Sequence, residues 1–326
     1  MTAWHYVGDG KRHPADRTPP LRSGVERRYG RPWDYIAERG LVNAVNAALL
    51  LRRPLLLTGE PGTGKSQLAY SLAWELQLGE PLKFETKSTS VARDLFYTSD
   101  SLGRFQNSRG TDPLSYISYN SLGIAILRAN DESSVAKFLP AGFVHGGKRR
   151  SVVLIDEVDK APRDFPNDIL NELEDLHFSA PELSNEPISA AHEDSPVVIV
   201  TSNSEKDLPD AFLRRCIYYN VPFPQRETLI NIVAKRLGEF SGQSSELLSS
   251  SLDLFFKLRE QSTQLRKPPA TAELLDWLIA MRSLIGEEDR GFSEALVSST
   301  LSALVKTAED QERASNVVER WFESRR

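Results

Sequence analysis

The feature that most constrains this chain is the segment Gly59–Ser66, which fits the pattern G-x-x-x-x-G-K-[ST] at every required position. The apolar run Pro54–Thr58 precedes it, and leucines at helical spacing follow it at positions 68, 72 and 76. The predicted context is therefore a strand, a glycine-rich loop and a helix, which this pattern needs in order to bind phosphate. Glycines let backbone N–H groups wrap a phosphate chain at the positive end of the helix dipole.

The side chains of this loop indicate a nucleotide site. Lys65 has the reach to contact the β- and γ-phosphates, and the Ser66 hydroxyl is placed to ligate Mg²⁺. A glycine-rich turn with a surface lysine is the alternative interpretation, and the predicted strand and helix on either side argue against it. The expected nucleotide-binding residues are Gly59, Glu60, Pro61, Gly62, Thr63, Gly64, Lys65, Ser66 and Gln67.

A second motif, Val152–Glu157, places four apolar residues before two adjacent carboxylates. In open parallel sheets, ligands bind at the carboxyl ends of the strands. We expect Asp156 to bind the nucleotide's Mg²⁺, directly or through water, and Glu157 to accept a proton from the attacking water. Taken alone, the motif is equally compatible with a strand that ends in a solvated acidic turn. Its position downstream of a phosphate loop favours nucleotide hydrolysis.

Two later segments supply further polar residues. The apolar run Val197–Val200 ends in Thr201, Ser202 and Asn203, and Asn203 is placed to hydrogen-bond the γ-phosphate or the attacking water, although asparagine is also a common turn former. Arg214 and Arg215 end a short helical pattern before the last apolar run. A guanidinium group matches the charge that develops on a transferred γ-phosphoryl group. Because this segment should lie at the flank of the domain, we expect the arginine to serve the site of an adjacent subunit.

The patterning along the chain predicts three parts. Residues 1–35 form a basic arm rich in proline and glycine, whose aromatic residues Trp4, Tyr6, Trp33 and Tyr35 are candidates to pin it to the body. Residues 36–222 alternate short apolar runs with helical periodicity, which predicts an α/β domain with a parallel sheet and helices on both faces. Residues 225–326 predict an all-helical domain. The later strands are expected at 83–86, 152–156, 197–201 and 217–221, and the helical segments of the last part at 229–237, 247–258, 272–285 and 295–322.

Composition and charge limit the classes of protein to which this chain can belong. The chain has 326 residues and a net charge of −5, which argues against a surface that coats nucleic acid but does not exclude a local basic channel. The amino terminus lacks the apolar core of a signal peptide, and no apolar stretch is long enough to span a membrane, so we expect a cytoplasmic protein. The single cysteine, Cys216, excludes an internal disulfide and is expected to be buried. The five histidines lack ligand spacing, so no metal beyond the nucleotide's Mg²⁺ is expected.

These motifs, in this order and followed by a helical domain, resemble those of the AAA+ ATPases over residues 36–326. Within that superfamily, the sequences at 41–46, 59–66, 154–162 and 208–216 are similar to those of the MoxR family in the helix-2-insert clade. The resemblance implies a five-stranded parallel sheet of order 5-1-4-3-2, a helical lid domain, and a ring, hexameric in most members, that binds ATP and Mg²⁺ between subunits.

The resemblance also implies residue roles. Lys65 and Ser66 correspond to the Walker A motif, Asp156 and Glu157 to Walker B, and Asn203 to sensor 1. Alignment with the family's Leu-Asp-Arg-Phe pattern favours Arg215 as the arginine finger, with Arg214 as the alternative.

Two segments and one position depart from a minimal AAA+ core. The segments near 86–129 and 178–195 resemble the family's insertions, which face the pore or upper face of the ring and handle the client; surface elaborations without a client role are the alternative. Ala272 stands where many AAA+ proteins have a phosphate-sensing arginine. Arg266 or Lys267, just upstream, is a candidate substitute, so the sequence leaves the function of sensor 2 open.

Three functions are compatible with these observations. The leading interpretation is an ATP-hydrolysing ring that acts as a chaperone or remodeller of a protein client, with a von Willebrand factor A-domain protein as a candidate partner and a bacterial defence module as one possible setting. A nucleic-acid-associated motor is the second, motivated by the basic arm and by the arginines of the first insertion. The third is a nucleotide-gated scaffold that binds ATP but hardly hydrolyses it. The missing lid arginine favours this interpretation, and the paired acids argue against it. Asn203 is followed by Ser204–Asp207, which is the wrong spacing for a guanine-reading N-K-x-D sequence and favours ATP.

Overall fold

The chain is described from a computed structural model, which covers residues 8–12, 31–106, 112–204, 208–238, 243–284 and 292–326. Trp4 and Tyr6, which the sequence suggests as anchors of the arm, lie outside the described residues. The chain forms two compact units. The first contains the described residues up to Gly59 together with Gly64–Val221, and the second contains Glu60–Thr63 together with Pro222–Arg326.

A five-stranded parallel sheet forms the centre of the first unit. Its spatial order is β5-β1-β4-β3-β2, which confirms the predicted order 5-1-4-3-2. The three central strands are buried at every position, as expected when helices cover both faces of a parallel sheet. The strands are β1 (Leu55–Thr58), β2 (Leu82–Glu85), β3 (Val152–Asp156), β4 (Val197–Thr201) and β5 (Ile217–Asn220).

Successive side chains of each strand enter two different cores. Leu56 and Val153 belong to the core on one face of the sheet, whereas Leu57 and Leu154 belong to the core on the other face. This alternation is the two-residue period of a β-strand. The helices of this unit are α1 (Arg39–Leu51), α2 (Lys65–Glu75), α3 (Ser101–Gln106), α4 (Ser121–Arg128), α5 (Glu132–Val135), α6 (Phe165–Asp168), α7 (Leu170–Asp175) and α8 (Asp210–Arg215).

Each segment that the sequence marks as an insertion contains a short antiparallel hairpin. The first pairs Tyr97–Ser99 with Ile117–Tyr119, and the second pairs His177–Phe178 with Ile188–Ser189. The two hairpins share an aromatic cluster, in which the ring of Phe178 lies 6.2 Å from that of Tyr97 and 6.0 Å from that of Tyr119. The Tyr97 hydroxyl also hydrogen-bonds Glu182 at 3.0 Å, and burial together with this bond raises the pKa of Tyr97 to about 12. The two segments therefore pack against each other.

The described part of the amino-terminal arm is held at the end of α2. The backbone N–H groups of Gly8 and Gly10 donate to the buried carboxylate of Glu75 at 2.9 and 3.0 Å. Next to it, the ring of Trp33 lies 4.7 Å from that of Trp74. Pairing with two backbone donors satisfies a carboxylate that would otherwise be costly to bury.

The second unit is helical, and it differs from the prediction at one point. The segment expected as one helix over 295–322 is two helices, because Val305 adopts an extended conformation and Thr307 caps the next helix by accepting a 3.2 Å hydrogen bond from the backbone of Asp310. The core of this unit is centred on the fully buried Trp277, whose indole N–H donates to Thr300 at 2.8 Å. Its helices are α9 (Arg226–Leu237), α10 (Gln243–Arg259), α11 (Thr271–Leu284), α12 (Glu294–Leu304) and α13 (Ala308–Glu323).

The candidate sensor-2 substitutes are anchored by their backbone. The N–H groups of Arg266 and Lys267 donate to the buried carboxylate of Asp310 at 2.9 and 3.1 Å. The side chain of Arg266 forms an exposed ion pair with Glu309 at 3.1 Å. Among the described residues, no helix is both long and apolar enough to cross a membrane.

Candidate active site

Three functional segments lie at the carboxyl-terminal ends of the strands, after β1, β3 and β4. The phosphate-loop segment begins where β1 ends, and α2 begins at Lys65. Gly59 has φ of 132°, and a Cβ atom there would lie 2.4 Å from the carbonyl oxygen of Val221. Gly64 has φ of 89°. Because only glycine adopts these angles without strain, the glycines of the motif are required by the backbone path itself.

Lys65 joins the loop to the end of β4. Its side chain is buried, and Nζ donates hydrogen bonds to the carbonyl oxygen of Gly59 at 2.8 Å and to Oδ1 of Asn203 at 3.0 Å. The backbone N–H of Asn203 in turn donates to Asp159 at 3.1 Å. The structure therefore brings two sequence-predicted residues, Lys65 and Asn203, into direct contact.

The carboxylate of Asp156 contacts three side chains at this edge. Its Oδ1 accepts hydrogen bonds from Ser66 at 2.6 Å and from Thr201 at 2.7 Å, and its Oδ2 pairs with Lys83 at 2.9 Å. Burial alone would raise the pKa of Asp156, but the hydrogen bonds from Ser66, Lys83 and Thr201 outweigh it and hold the pKa below its ordinary value. The carboxylate is therefore kept in the charged form that a metal ligand needs.

Glu157 adopts a left-handed backbone conformation, with φ of 59°. Its N–H donates to the Thr201 hydroxyl at 2.9 Å, and its half-exposed carboxylate forms an ion pair with Lys160. The hydrogen bond to Glu157 is the main reason that the pKa of Lys160 is raised. A non-glycine residue with positive φ is uncommon, and such residues concentrate at functional sites.

The oxygen donors of this edge fit Mg²⁺. The Ser66 hydroxyl and the Asp156 carboxylate lie side by side, and both are hard oxygen ligands of the kind that Mg²⁺ prefers. Over the described ranges, no group of three or more His, Cys, Asp or Glu residues could hold a metal ion without other ligands. Mg²⁺ usually binds through one or two protein oxygens together with water and substrate phosphates.

The two candidate arginine-finger residues lie at the amino-terminal ends of the strands, whereas the phosphate loop lies at the carboxyl-terminal ends. Arg53, just before β1, donates through Nε to the carbonyl oxygen of Arg215 at 2.9 Å and through Nη2 to that of Arg214. The Arg215 guanidinium forms a 3.0 Å ion pair with Glu174. Since β5 begins directly after Cys216 and runs parallel to β1, a strand length separates these arginines from the loop of their own chain. Cys216 is buried as predicted, and burial raises the pKa of its thiol to about 12.

Sequence reasoning missed several residues that contact this site. Lys83 pairs with Asp156, Thr201 bridges Asp156 and Glu157, and Lys160 pairs with Glu157. A signal for Lys83 was present, because the order 5-1-4-3-2 places β2 beside β3 and a lysine interrupts the apolar pattern of β2. No comparable pattern in the sequence predicts the ion pair between Glu174 and Arg215.

The family of the chain follows from comparison with known proteins. The family model described as "ATPase family associated with various cellular activities (AAA)" matches residues 55–223, which is more than half of the chain. A search among curated proteins finds no match. Similar solved structures include a chain from work on katanin self-assembly, with 15% identity, a TM-score of 0.43 and coverage of 93% of this chain and 99% of that one. The AAA domain of FIGL-1 in complex with ADP is 17% identical, with a TM-score of 0.38 and coverage of 84% and 76%. On the family match, this chain belongs to the AAA family of ATPases.

Proposed function

We propose that this AAA protein is a Mg²⁺-dependent ATP hydrolase of the MoxR type that assembles into a ring and remodels a protein client. The observation that carries the proposal is the meeting of Lys65 with Asn203 and of Ser66 with Asp156 at one edge of the sheet. These contacts connect a phosphate-binding loop with the ends of the two neighbouring central strands. That combination suits hydrolysis of a bound triphosphate better than storage of a nucleotide.

Binding is assigned to the loop and the start of α2. The backbone N–H groups of residues 59–67 would contact the phosphate chain, and the Lys65 ammonium would contact the β- and γ-phosphates. Ser66 and Asp156 would hold Mg²⁺, which neutralises charge on the phosphates when it is bound.

The chemical step is assigned to the ends of β3 and β4. Glu157 would accept the proton of the attacking water, and Asn203 would orient that water or the γ-phosphate. Glu157 is suited to this role because its half-exposed carboxylate stands on a backbone that Thr201 anchors. The Thr201 hydroxyl donates to the Asp156 carboxylate and accepts from the backbone N–H of Glu157, so one hydroxyl connects the backbone that carries the base with the carboxylate assigned to the metal.

The stabilisation of transition-state charge is assigned to a second subunit. Arg215, with Arg214 as the alternative, is exposed and lies a strand length from the loop of its own chain. A neighbouring subunit in a ring can bring this edge to the nucleotide of another protomer. The proposed ring, hexameric as the resemblance to the MoxR family implies, is supported by the distance of these arginines from the loop of their own chain.

Binding and hydrolysis can be tested separately. Equilibrium dialysis with Mg·ATP is expected to show saturable uptake by the wild-type chain and by the control Lys235→Ala, whose lysine is exposed on α9. Lys65→Ala is expected to lose most of this uptake and all measurable phosphate release. Uptake by Lys65→Ala equal to that of the control would contradict the assigned site.

The client is tested with a variant that binds ATP without hydrolysing it. We expect Glu157→Gln to retain a protein partner in the presence of Mg·ATP and to release it without nucleotide; a von Willebrand factor A-domain protein is a candidate. The two insertions are proposed to provide the contact surface, because they pack against each other on the α/β unit. Absence of any captured protein, combined with DNA-stimulated hydrolysis that falls steeply with salt, would favour a nucleic-acid motor instead.

A further inference from the structure

Lys83 lies on the edge strand β2 but is mostly buried, with 15% of its side chain exposed. Its Nζ lies 2.9 Å from Oδ2 of Asp156 and 2.5 Å from Oε1 of Glu85. Lysine is rarely buried unless it is paired. The partner of Lys83 is the carboxylate assigned to the metal, which indicates a role for Lys83 at this site.

The strand that carries Lys83 is firmly attached. It pairs with β3 in register, with Lys83 opposite Leu154 and Glu85 opposite Asp156. The carbonyl oxygen of Lys83 accepts a 2.7 Å hydrogen bond from Ser121, and the N–H of Thr86 donates to the carbonyl oxygen of Asp156 at 3.1 Å. The sheet therefore fixes the backbone of Lys83, and the contact between Lys83 and Asp156 follows from the pairing of β2 with β3.

The two oxygens of Asp156 have different partners. Oδ1 receives the hydroxyls of Ser66 and Thr201, whereas Oδ2 receives the ammonium of Lys83. A quarter-turn of the carboxylate plane would weaken all three contacts together. Lys83 thus helps to fix the orientation in which one carboxylate oxygen lies beside the hydroxyl that would ligate the metal.

We propose that Lys83 is a positioning residue of the metal site, which fixes Asp156 so that Oδ1 and the Ser66 hydroxyl stay together to receive Mg²⁺ with ATP. This inference rests on the proposed function. A second effect of Lys83 has the opposite sign, because its positive charge repels a nearby cation. Positioning and repulsion therefore predict opposite results when the ammonium is removed.

The test measures how strongly Mg²⁺ improves ATP binding. Equilibrium dialysis gives the Kd of ATP with Mg²⁺ and with EDTA, and the ratio of the two Kd values is the metal coupling. For Lys83→Met we expect the coupling to fall about tenfold, which is typical when a group that orients a metal ligand is lost, while the Kd in EDTA changes less than about twofold. Lys83→Arg is expected to keep most of the coupling, and Lys235→Met to keep all of it.

Other values of the metal coupling in Lys83→Met contradict the proposal. Unchanged or increased coupling in Lys83→Met overturns it, since increased coupling would show that repulsion outweighs positioning. If Lys83→Met fails to fold by circular dichroism, Lys83→Gln provides the same comparison with a polar side chain. If the wild-type chain binds ATP without any metal coupling, both the proposed function and this inference are wrong; if the wild type shows coupling that no Lys83 variant changes, only this inference is wrong.

Discussion

The ammonium of Lys65 donates a 3.0 Å hydrogen bond to the amide oxygen of Asn203, 138 positions later in the chain. The contact exists because β1 and β4 are parallel neighbours in the sheet, so that the residues following each strand meet at one edge. Asn203 is seated by Asp159 as well. Asn203 is therefore held through its side-chain amide by Lys65 and through its backbone N–H by Asp159.

Replacement of this amide should affect the chemical step more than binding. We expect Asn203→Ala to lower kcat by about a hundredfold, as when one hydrogen-bond donor to a transition state is lost, with a change in the Kd of Mg·ATP of less than about fivefold. Steady-state phosphate release and equilibrium dialysis measure the two quantities. Asn167→Ala, at an exposed position on α6, should change neither. A pure binding defect in Asn203→Ala would exclude the proposed role.

Removal of the proposed base should separate binding from hydrolysis. Glu157→Gln keeps the shape of the side chain but loses its capacity to accept a proton, so kcat should fall by a factor of roughly 10²–10⁴ while ATP binding persists. Asp164→Asn changes an exposed carboxylate nearby and should behave as the wild type. Turnover by Glu157→Gln within a few-fold of the wild type would assign the base elsewhere.

The ion pair between Lys160 and Glu157 should restrain the base. Exposed pairs of this kind contribute at most about 1 kcal/mol, which corresponds to roughly a fivefold change in rate. We expect Lys160→Ala to raise basal kcat by up to about fivefold, because the carboxylate then no longer has to leave its partner, and Lys160→Arg to match the wild type. Single-turnover phosphate release measures the step directly, and a lower rate in Lys160→Ala would show that Lys160 assists catalysis.

Mixed oligomers should reveal whether an arginine acts between subunits. Arg215→Ala alone is expected to lose about 10³-fold or more in kcat, as for other arginine fingers. Mixing it with Glu157→Gln should restore part of the activity, because each mutant supplies the group that the other lacks. The same experiment with Arg214→Ala decides between the two arginines. Failure of both mixtures, with oligomers confirmed by sedimentation, would remove the arginine finger from this segment.

The helical unit should depend on Asp310. Burial would raise the pKa of Asp310, but the N–H groups of Arg266 and Lys267 and the Thr307 hydroxyl lower it below its ordinary value. Asp310→Asn should therefore reduce the free energy of unfolding by about 1.5–3 kcal/mol at neutral pH, as expected for hydrogen bonds to a charged group. Asp276→Asn, on an exposed face of α11, is the control.

The pH dependence of this effect has a defined sign. Because the folded-state pKa of Asp310 lies below the unfolded value, its contribution is fully present above about pH 4 and is lost as the pH falls through the folded-state pKa. Urea unfolding between pH 3 and pH 7 should show the wild type and Asp310→Asn converging at the acidic end. A constant difference across this range would contradict the assignment.

Much of the fold was accessible from local patterns. The run Val152–Ile155 is apolar at every position, which indicates a strand buried on both faces. The glycines of Gly59–Ser66 permit the positive φ angles that the loop adopts. The interruption at 305–307 was missed, although Thr307 stands three residues before Asp310, at the spacing of a helix cap. Helical periodicity on both sides of this turn concealed it.

The sequence by itself determined the five strands of the central sheet, the helical character of residues 225–326 and the glycine pattern of the phosphate loop. It also identified Lys65, Ser66, Asp156, Glu157 and Asn203 as candidates, since backbone preference and residue spacing are local properties. Only the tertiary structure decided which side chains meet. Lys83 on Asp156 and Glu174 on Arg215 are contacts of single polar atoms. Such contacts depend on strand register and rotamer, which are settled when distant segments pack together, and no local pattern encodes them.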